Sequence, residues 1–177
     1  MALKLSKNFD EVCYPFIQET SALCDFEVIT DELCGIIGAV LAYLPQDMPD
    51  IAADLEQLQP LAFHVNGSIR GRLAIEEGDI AWLQSRLTHY QQEVSEQLKG
   101  FVLPRGQAPV VQLHQARSAA KKAIRAMVRV DQEGKTVDLV LPRLCNLMCN
   151  FFFTLCLVIN KRRDVRETPF ISKSYRC

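Results

Sequence analysis

The sequence predicts an all-α protein built from about five helices. Apolar residues recur three and four positions apart through most of the chain, the spacing that places side chains on one face of a helix. No segment alternates between apolar and polar residues for long enough to indicate a strand. With 177 residues, 49% of them hydrophobic, the chain is long enough for one well-buried core and short for two.

Five segments carry the helical spacing. They are, in chain order, 26–44, 49–74, 79–98, 109–130 and 137–160. Pro45 should end the first helix, and Asp47 is a suitable N-cap for the second. Pro60 should kink the second helix and Pro142 should bend the fifth. The connection 99–109 contains two Pro and two Gly, which favour a loop.

The most apolar segment, 144–159, spans 16 residues and contains Asn146 and Asn150. A membrane-spanning helix needs about 20 apolar residues, so we expect a buried core helix and no membrane contact. The N-terminal sequence MALKLSKNFDEVC lacks the apolar core of a secretory signal, and the seven Cys lack disulfide-framework spacing. These features predict a cytoplasmic protein.

The net charge of −1 conceals a division between the two halves of the chain. Residues 1–100 carry 16 acidic and 6 basic side chains, whereas residues 101–177 carry 5 and 14. One interpretation is that the halves attract each other, within a monomer or between subunits. The other is that the second half binds an anionic ligand.

A row of cations follows one face of the fourth helix. Its members are Arg117, Lys121, Lys122, Arg125 and Arg129, which we call the basic ridge. Residues 101–130 contain no Asp or Glu, although an exposed amphipathic helix normally mixes charges of both signs. The ridge is therefore either a solvated face or a site for phosphate or for a partner's carboxylates.

Cysteines and histidines do not form a recognisable metal or catalytic motif. Cys145, Cys149 and Cys156 share one face of the fifth helix, but structural zinc usually takes four ligands at CxxC-like spacing, and free Cys commonly packs in a core. The three His residues are scattered through the chain. No metal site is predicted.

Three motifs resemble the propanediol-utilisation (PduO) type of ATP:cob(I)alamin adenosyltransferase. At 101–106 and 113–125 the chain reads FVLPRG and LHQARSAAKKAIR, similar to F-I-L-P-G-G and L-H-x-A-R-T-x-x-R-R-A-E-R in the family. The segment DELCGIIG at 31–38 resembles D-E-L-N-x-x-L-G, and PRLCNL at 142–147 resembles N-R-L-S-D-L. The motifs keep their order over residues 25–160.

The resemblance implies a five-helix bundle that forms a homotrimer, with MgATP and the corrin ring of cobalamin bound at subunit interfaces. The family transfers the 5′-deoxyadenosyl group of ATP to cob(I)alamin. The resemblance implies that Arg117 and Asp31 form a catalytic ion pair across the interface and that Phe101 shields the lower face of the corrin. The remaining binding residues that it implies are Lys121, Lys122, Arg125, His114 and Asn146. Of these, Lys121 and Arg125, together with Arg117, would neutralise the leaving triphosphate.

Several positions depart from the family pattern. Family members carry a Gly-rich segment before the first core helix, whereas the first glycine here is Gly35. The second arginine of the motif is Lys121, the glutamate is Ile124, the asparagine is Pro142 and the aspartate is Asn146. Lys keeps the charge but loses the bidentate fork of Arg. These changes predict a degraded ATP site and weak activity.

Three functions remain open at this point. The first is a divergent but active adenosyltransferase, and the second is a non-catalytic trimeric relative that binds a corrinoid or serves a structural role. The third is a nucleic-acid or scaffold module that uses the basic ridge and the cluster 161–163, which is less favoured because the ridge lacks interleaved aromatic residues. The expected organisation is an N-terminal arm at 1–24, the bundle at 25–161 and a basic tail at 162–177.

Overall fold

Five long helices form the protein in the computed structural model, which describes residues 6–174. They are α1 (Ala22–Tyr43), α2 (Pro49–Gly67), α3 (Glu77–Glu93), α4 (Val110–Gln132) and α5 (Val140–Arg162). Two short 3₁₀ turns, Phe9–Glu11 and Gln97–Lys99, and one isolated bridge complete the regular structure of residues 6–174. The predicted all-α, five-helix architecture is confirmed.

Several helix ends differ from the predictions. Helix α1 begins at Ala22 and not at residue 26, α3 ends at Glu93 and not at residue 98, and α5 begins at Val140 and not at residue 137. The second helix stops at Gly67 and not at residue 74, because Ser68 to Gly71 turn the chain. Its N-cap is Met48 and not Asp47, and the helix continues through Pro60. Pro142 lies in the first turn of α5, where its missing N–H has no intrahelical partner to lose. Pro142 therefore leaves α5 uninterrupted, whereas the sequence predicted a bend at this residue.

The bundle is organised around α4 and α5. Helix α1 packs against α2 and α4, α4 packs against α5, and α5 packs against α3. The small side chains of α4 that face the core are Ala116, Ala119, Ala120, Ala123 and Ala126, and small residues let helix axes approach closely. Helix α5 is long and apolar enough to cross a membrane by length and composition. In its most apolar stretch of 18 residues, 67% is buried inside the bundle.

Ion pairs join the acidic first half of the chain to the basic second half. On one side Arg162 of α5 contacts Asp50 of α2 at 2.8 Å and Glu93 of α3 at 2.9 Å. Arg143 of α5 pairs with Glu77 of α3. The attraction predicted between the halves therefore operates within one chain, although exposed pairs of this kind each contribute only about 0–1 kcal/mol.

A polar contact also fixes the N-terminal end of α1. The backbone N–H of Ala22 donates to the carboxylate of Glu133, which lies in the turn between α4 and α5. This contact supplies an acceptor and negative charge where the helix dipole is positive. Gly134 follows at φ 85°, a left-handed conformation that favours glycine.

Candidate functional site

The basic ridge lies on the face of α4 opposite its buried alanines. Lys121, Lys122, Arg125 and Arg129 are exposed, whereas Arg117 is partly buried. The period of the helix produces this arrangement, because residues four apart return to nearly the same face. The ridge is therefore a continuous cationic surface that ends at its N-terminal side in a more enclosed pocket.

Helix α1 supplies carboxylates to part of the ridge. Lys122 pairs with Glu32 at 3.5 Å, and Arg129 pairs with Asp25 at 3.1 Å. The antiparallel packing of α1 and α4 creates both contacts. Lys121 and Arg125 form no ion pair within the described part of the chain, and with Ile29 of α1 they border a cavity of about 350 Å³. Two cations of the ridge thus remain available to an anion.

A larger cavity of about 500 Å³ opens at the other end of the ridge, between α1, α4 and the connection 100–109. Its lining includes His114, Arg117, Glu32 and Pro104. Two atoms of this lining pair, His114 Nδ1 and Arg117 Nε, are buried and have no hydrogen-bond partner among the described residues. Buried polar atoms are nearly always paired in folded proteins, so these two side chains, which also line the cavity, are candidates for contacts with a ligand or a second chain after they reorient.

An aromatic ring contacts Arg117, and the surroundings of His114 favour its neutral form. The guanidinium carbon of Arg117 lies 5.2 Å from the ring centroid of Phe153 on α5, a cation–π contact. Burial, aided by the positive charge of Arg117, lowers the pKa of His114 to about 4. His114 is therefore neutral at physiological pH, and one of its ring nitrogens can accept a hydrogen bond.

Three further residues named in the sequence analysis lie outside this cavity lining. Phe101 lies in the connection before α4 and is 61% exposed. Asn146 is exposed on α5, and its Nδ2 donates to the Pro142 carbonyl at 2.8 Å. Asp31 borders a different cavity, between α1, α2 and the N-terminal segment. No ion pair joins Asp31 to Arg117 among residues 6–174 of this single chain, so the predicted pair would have to join two copies.

Sequence reasoning missed two residues of this region. Phe153 was part of an apolar run in α5, and its contact with Arg117 depends on how α5 packs on α4. Glu32 was read only as part of the α1 motif, and its pairing with Lys122 depends on the register between α1 and α4. No signal within either segment alone predicts these contacts.

Comparison with known proteins identifies the family to which this architecture belongs. Residues 18–159 match the family model described as cobalamin adenosyltransferase. The chain belongs to the cobalamin adenosyltransferase family. The resemblance inferred from the three motifs is thus confirmed.

Individual members of the cobalamin adenosyltransferase family align over most of the chain. It is 29% identical to the corrinoid adenosyltransferase of Bacillus subtilis over 147 residues, 79% of this chain and 75% of the relative. It is 30% identical to the cobalamin adenosyltransferase of Cupriavidus metallidurans over 134 residues, 74% of this chain and 71% of the relative.

A solved adenosyltransferase structure shares the fold. It is a variant of the PduO-type ATP:corrinoid adenosyltransferase from Lactobacillus reuteri, complexed with cobalamin and ATP. The two chains superpose with a TM-score of 0.78 at 20% identity, over 88% of this chain and 89% of the other.

The residues that depart from the family motifs have defined positions in this family member. Ile124 is partly buried on α4 and packs against the core. The segment before α1 contains no glycine and instead carries Phe16, whose ring lies 3.8 Å from the guanidinium carbon of Arg70. Arg70 also bonds to Glu19. An ordered aromatic turn therefore precedes α1, where the family is expected to carry a glycine-rich loop.

Proposed function

We propose that this chain is an adenosyltransferase that binds a corrinoid and transfers the 5′-deoxyadenosyl group of ATP slowly, because its ATP site is weakened. Cob(I)alamin, as substrate, supplies the nucleophile for the 5′ carbon of ATP, and triphosphate is the leaving group. The tasks left to the protein are to hold the two substrates together and to stabilise the charge of triphosphate.

The observation that carries this proposal is the pair of buried, unpartnered atoms at the end of the basic ridge. Arg117 and His114 line one cavity, and within these side chains Arg117 Nε and His114 Nδ1 are buried without a hydrogen-bond partner among residues 6–174. An orphaned buried polar atom costs about 1–3 kcal/mol, and rotation of either side chain toward a bound substrate or an adjoining subunit would recover this cost. A guanidinium held in place by Phe153 suits the phosphate side of such a site.

The free cations of the ridge support the leaving-group role. Lys121 and Arg125 are exposed and border a shared cavity, so both can contact phosphate oxygens without breaking an existing ion pair. Lys122 and Arg129 would first have to leave Glu32 and Asp25. The basic ridge therefore fits a polyanion. Fewer of its positive charges are free of ion pairs than the sequence alone suggested.

Three features support weak binding of ATP. A partly buried isoleucine, Ile124, stands where the family motif has glutamate, so no carboxylate at this position orients the neighbouring cations. Asn146 stands in place of an aspartate and donates its amide to Pro142 of its own helix. The aromatic turn before α1 presents side chains where a glycine-rich loop would present backbone N–H donors.

The same substitutions favour the alternative, a non-catalytic trimeric relative that binds a corrinoid or acts as a structural protein. Ile124 supports it most directly, because a side chain packed against the core cannot take part in positioning ATP. In its corrinoid-binding form, the alternative shares the corrinoid site with the adenosyltransferase, and the two differ in whether ATP is consumed.

The test compares this protein with the Bacillus subtilis relative under identical conditions. Each is mixed with excess cob(I)alamin and MgATP under anaerobic conditions, and adenosylcobalamin is followed by absorbance. We expect product at a rate lower by about tenfold or more, the effect of losing roughly 1.4 kcal/mol of stabilisation. Corrinoid binding without product would support the non-catalytic alternative, and failure to bind any corrinoid would contradict the adenosyltransferase and leave only the structural form of the alternative.

A further inference from the structure

The chain that follows α5 folds back over the connection that carries Phe101. We call residues 163–171 the C-terminal strap. Helix α5 ends at Arg162, and Asp164 reverses the chain with a positive φ of 55°. The N–H of Val165 donates to the Asn160 carbonyl at 2.8 Å, which closes this turn and directs the strap toward the connection.

Backbone hydrogen bonds join the strap to the connection as an antiparallel pair. The N–H of Leu103 donates to the Thr168 carbonyl at 2.9 Å, and the N–H of Phe170 donates to the Phe101 carbonyl at 2.8 Å. An isolated bridge pairs Val102 with Pro169 between them. The backbone on both sides of residue 102 is therefore fixed by the strap.

Side chains add further attachments at the far end of the same pair. Arg163 Nη1 donates to the Ala108 carbonyl at 2.9 Å. Asn160, which is 3% exposed, donates from Nδ2 to Glu167 Oε1 at 2.9 Å. Gly106 adopts a φ of 149°, and a Cβ at this position would meet Asn160 Oδ1 at 3.3 Å. The connection thus lies closely against the end of α5.

Phe101 depends on this backbone pairing for its position. Its side chain is 61% exposed, so packing within the chain restrains the ring little. An exposed aromatic ring on an unpaired loop would sample many orientations, whereas a backbone fixed at residues 101 and 103 limits them. The strap is the only element to which residues 101–103 form backbone hydrogen bonds within the described range 6–174.

The geometry points to the C-terminal strap as a positioning element for corrinoid binding, acting through the hydrogen bond from the Phe170 N–H to the Phe101 carbonyl. This inference rests on the proposed function and on the role that the family resemblance implies for Phe101, which is to shield the lower face of the corrin. The strap orders the backbone of Phe101 before the ligand arrives and so lowers the entropic cost of binding. Its effect should appear in corrinoid affinity and not in the stability of the helical core.

Proline substitution separates the backbone bond from the side chain. Phe170→Pro removes both the ring and the N–H donor, whereas Phe170→Ala removes the ring alone. Ile171→Pro is the matched control, because Ile171 is 89% exposed and its N–H forms no hydrogen bond within residues 6–174. The measurements are hydrogen exchange of peptides covering residues 101–104, absorbance titration with cob(II)alamin, and melting temperature.

We expect faster exchange at residues 101–104 in Phe170→Pro only, and a Kd for cob(II)alamin about fivefold higher than in Phe170→Ala, the change that loss of one ordinary hydrogen bond produces. Melting temperatures should be similar in all variants. If the wild-type protein binds cob(II)alamin and Phe170→Pro and Phe170→Ala bind it with equal affinity, the role of the strap is overturned. The proposed function is not affected by that result. A wild-type protein that binds no corrinoid would overturn the proposed function and this role with it, whatever the exchange data show.

Discussion

Arg70, in the turn after α2, forms a two-point ion pair with Glu27, a carboxylate of α1 that is 3% exposed. Arg70 Nε lies 2.6 Å from Glu27 Oε1, and Nη2 lies 2.9 Å from Oε2. The same guanidinium reaches Glu19, so one side chain joins α1, α2 and the segment that precedes α1. The strength of this junction gives the first prediction.

Arg70→Ala should destabilise the protein by about 3 kcal/mol, because it leaves the buried carboxylate of Glu27 without its counter-ion. Urea unfolding followed by circular dichroism measures the change. Arg72→Ala is the control, since Arg72 is exposed two residues away and should change stability by less than about 0.5 kcal/mol. Equal effects of the two substitutions would show that the Arg70 junction does not stabilise the fold.

His114 should make stability depend on pH. Its pKa is lowered to about 4 by burial and by Arg117, against about 6.5 in the unfolded chain. Between these values the unfolded state binds more protons, so the free energy of unfolding falls as pH decreases from about 6.5 toward 4. His114→Gln should reduce this slope between pH 6.5 and 5, above the titration range of most carboxylates, whereas His89→Gln, at an exposed site, should not. An unchanged slope in His114→Gln would contradict the lowered pKa.

We predict that the protein is a homotrimer in which Arg117 of one subunit pairs with Asp31 of the next. The two residues border different cavities of one chain, and a head-to-tail contact in a closed ring would bring them together. Arg117→Ala should therefore raise the concentration at which the trimer dissociates by about tenfold or more, because a carboxylate is left unpaired at the interface. Sedimentation velocity tests this, with Lys135→Ala in the turn after α4 as control. A wild-type monomer at micromolar concentration would contradict the assembly.

Lys121→Arg should strengthen binding of MgATP. Lys121 is exposed and unpaired among the described residues, so the substitution leaves the fold intact and adds a bidentate donor. An added charge-assisted hydrogen bond should lower the Kd by about threefold to tenfold. Lys135→Arg makes the same change away from the ridge. Isothermal titration calorimetry compares the two, and equal affinities would exclude residue 121 from the ATP site.

The periodicity of apolar residues was sufficient to predict five helices, because each helix buries one face. It failed at the end of α2, where Ile69 is buried although it lies in the turn after the helix, and where Leu73 is exposed. Apolar spacing reports burial, and a buried loop residue gives the same signal as another helical turn. The bend expected at Pro142 failed because the effect of proline depends on where the helix begins.

The candidate site was predictable where one helix determines it and unpredictable where two must meet. The basic ridge follows from the four-residue spacing in α4 alone. Its partial neutralisation by Asp25 and Glu32 depends on the antiparallel register of α1 and α4, which no local pattern specifies. The sequence did not predict the strap either. Residues 163–171 pair through backbone atoms with a connection about sixty positions earlier, and backbone pairing of this kind leaves no side-chain pattern.

Calorimetric titration with MgATP at physiological salt tests the central claim, a retained architecture with a weakened ATP site. We predict a Kd above that of the Bacillus subtilis relative by about a hundredfold, as expected if two or more charge-assisted contacts are lost at roughly 1.5 kcal/mol each. Weak, salt-sensitive binding of triphosphate alone is compatible with the claim, because the ridge attracts polyanions. Micromolar affinity for MgATP, together with adenosylcobalamin formation at the rate of the relative, would contradict it.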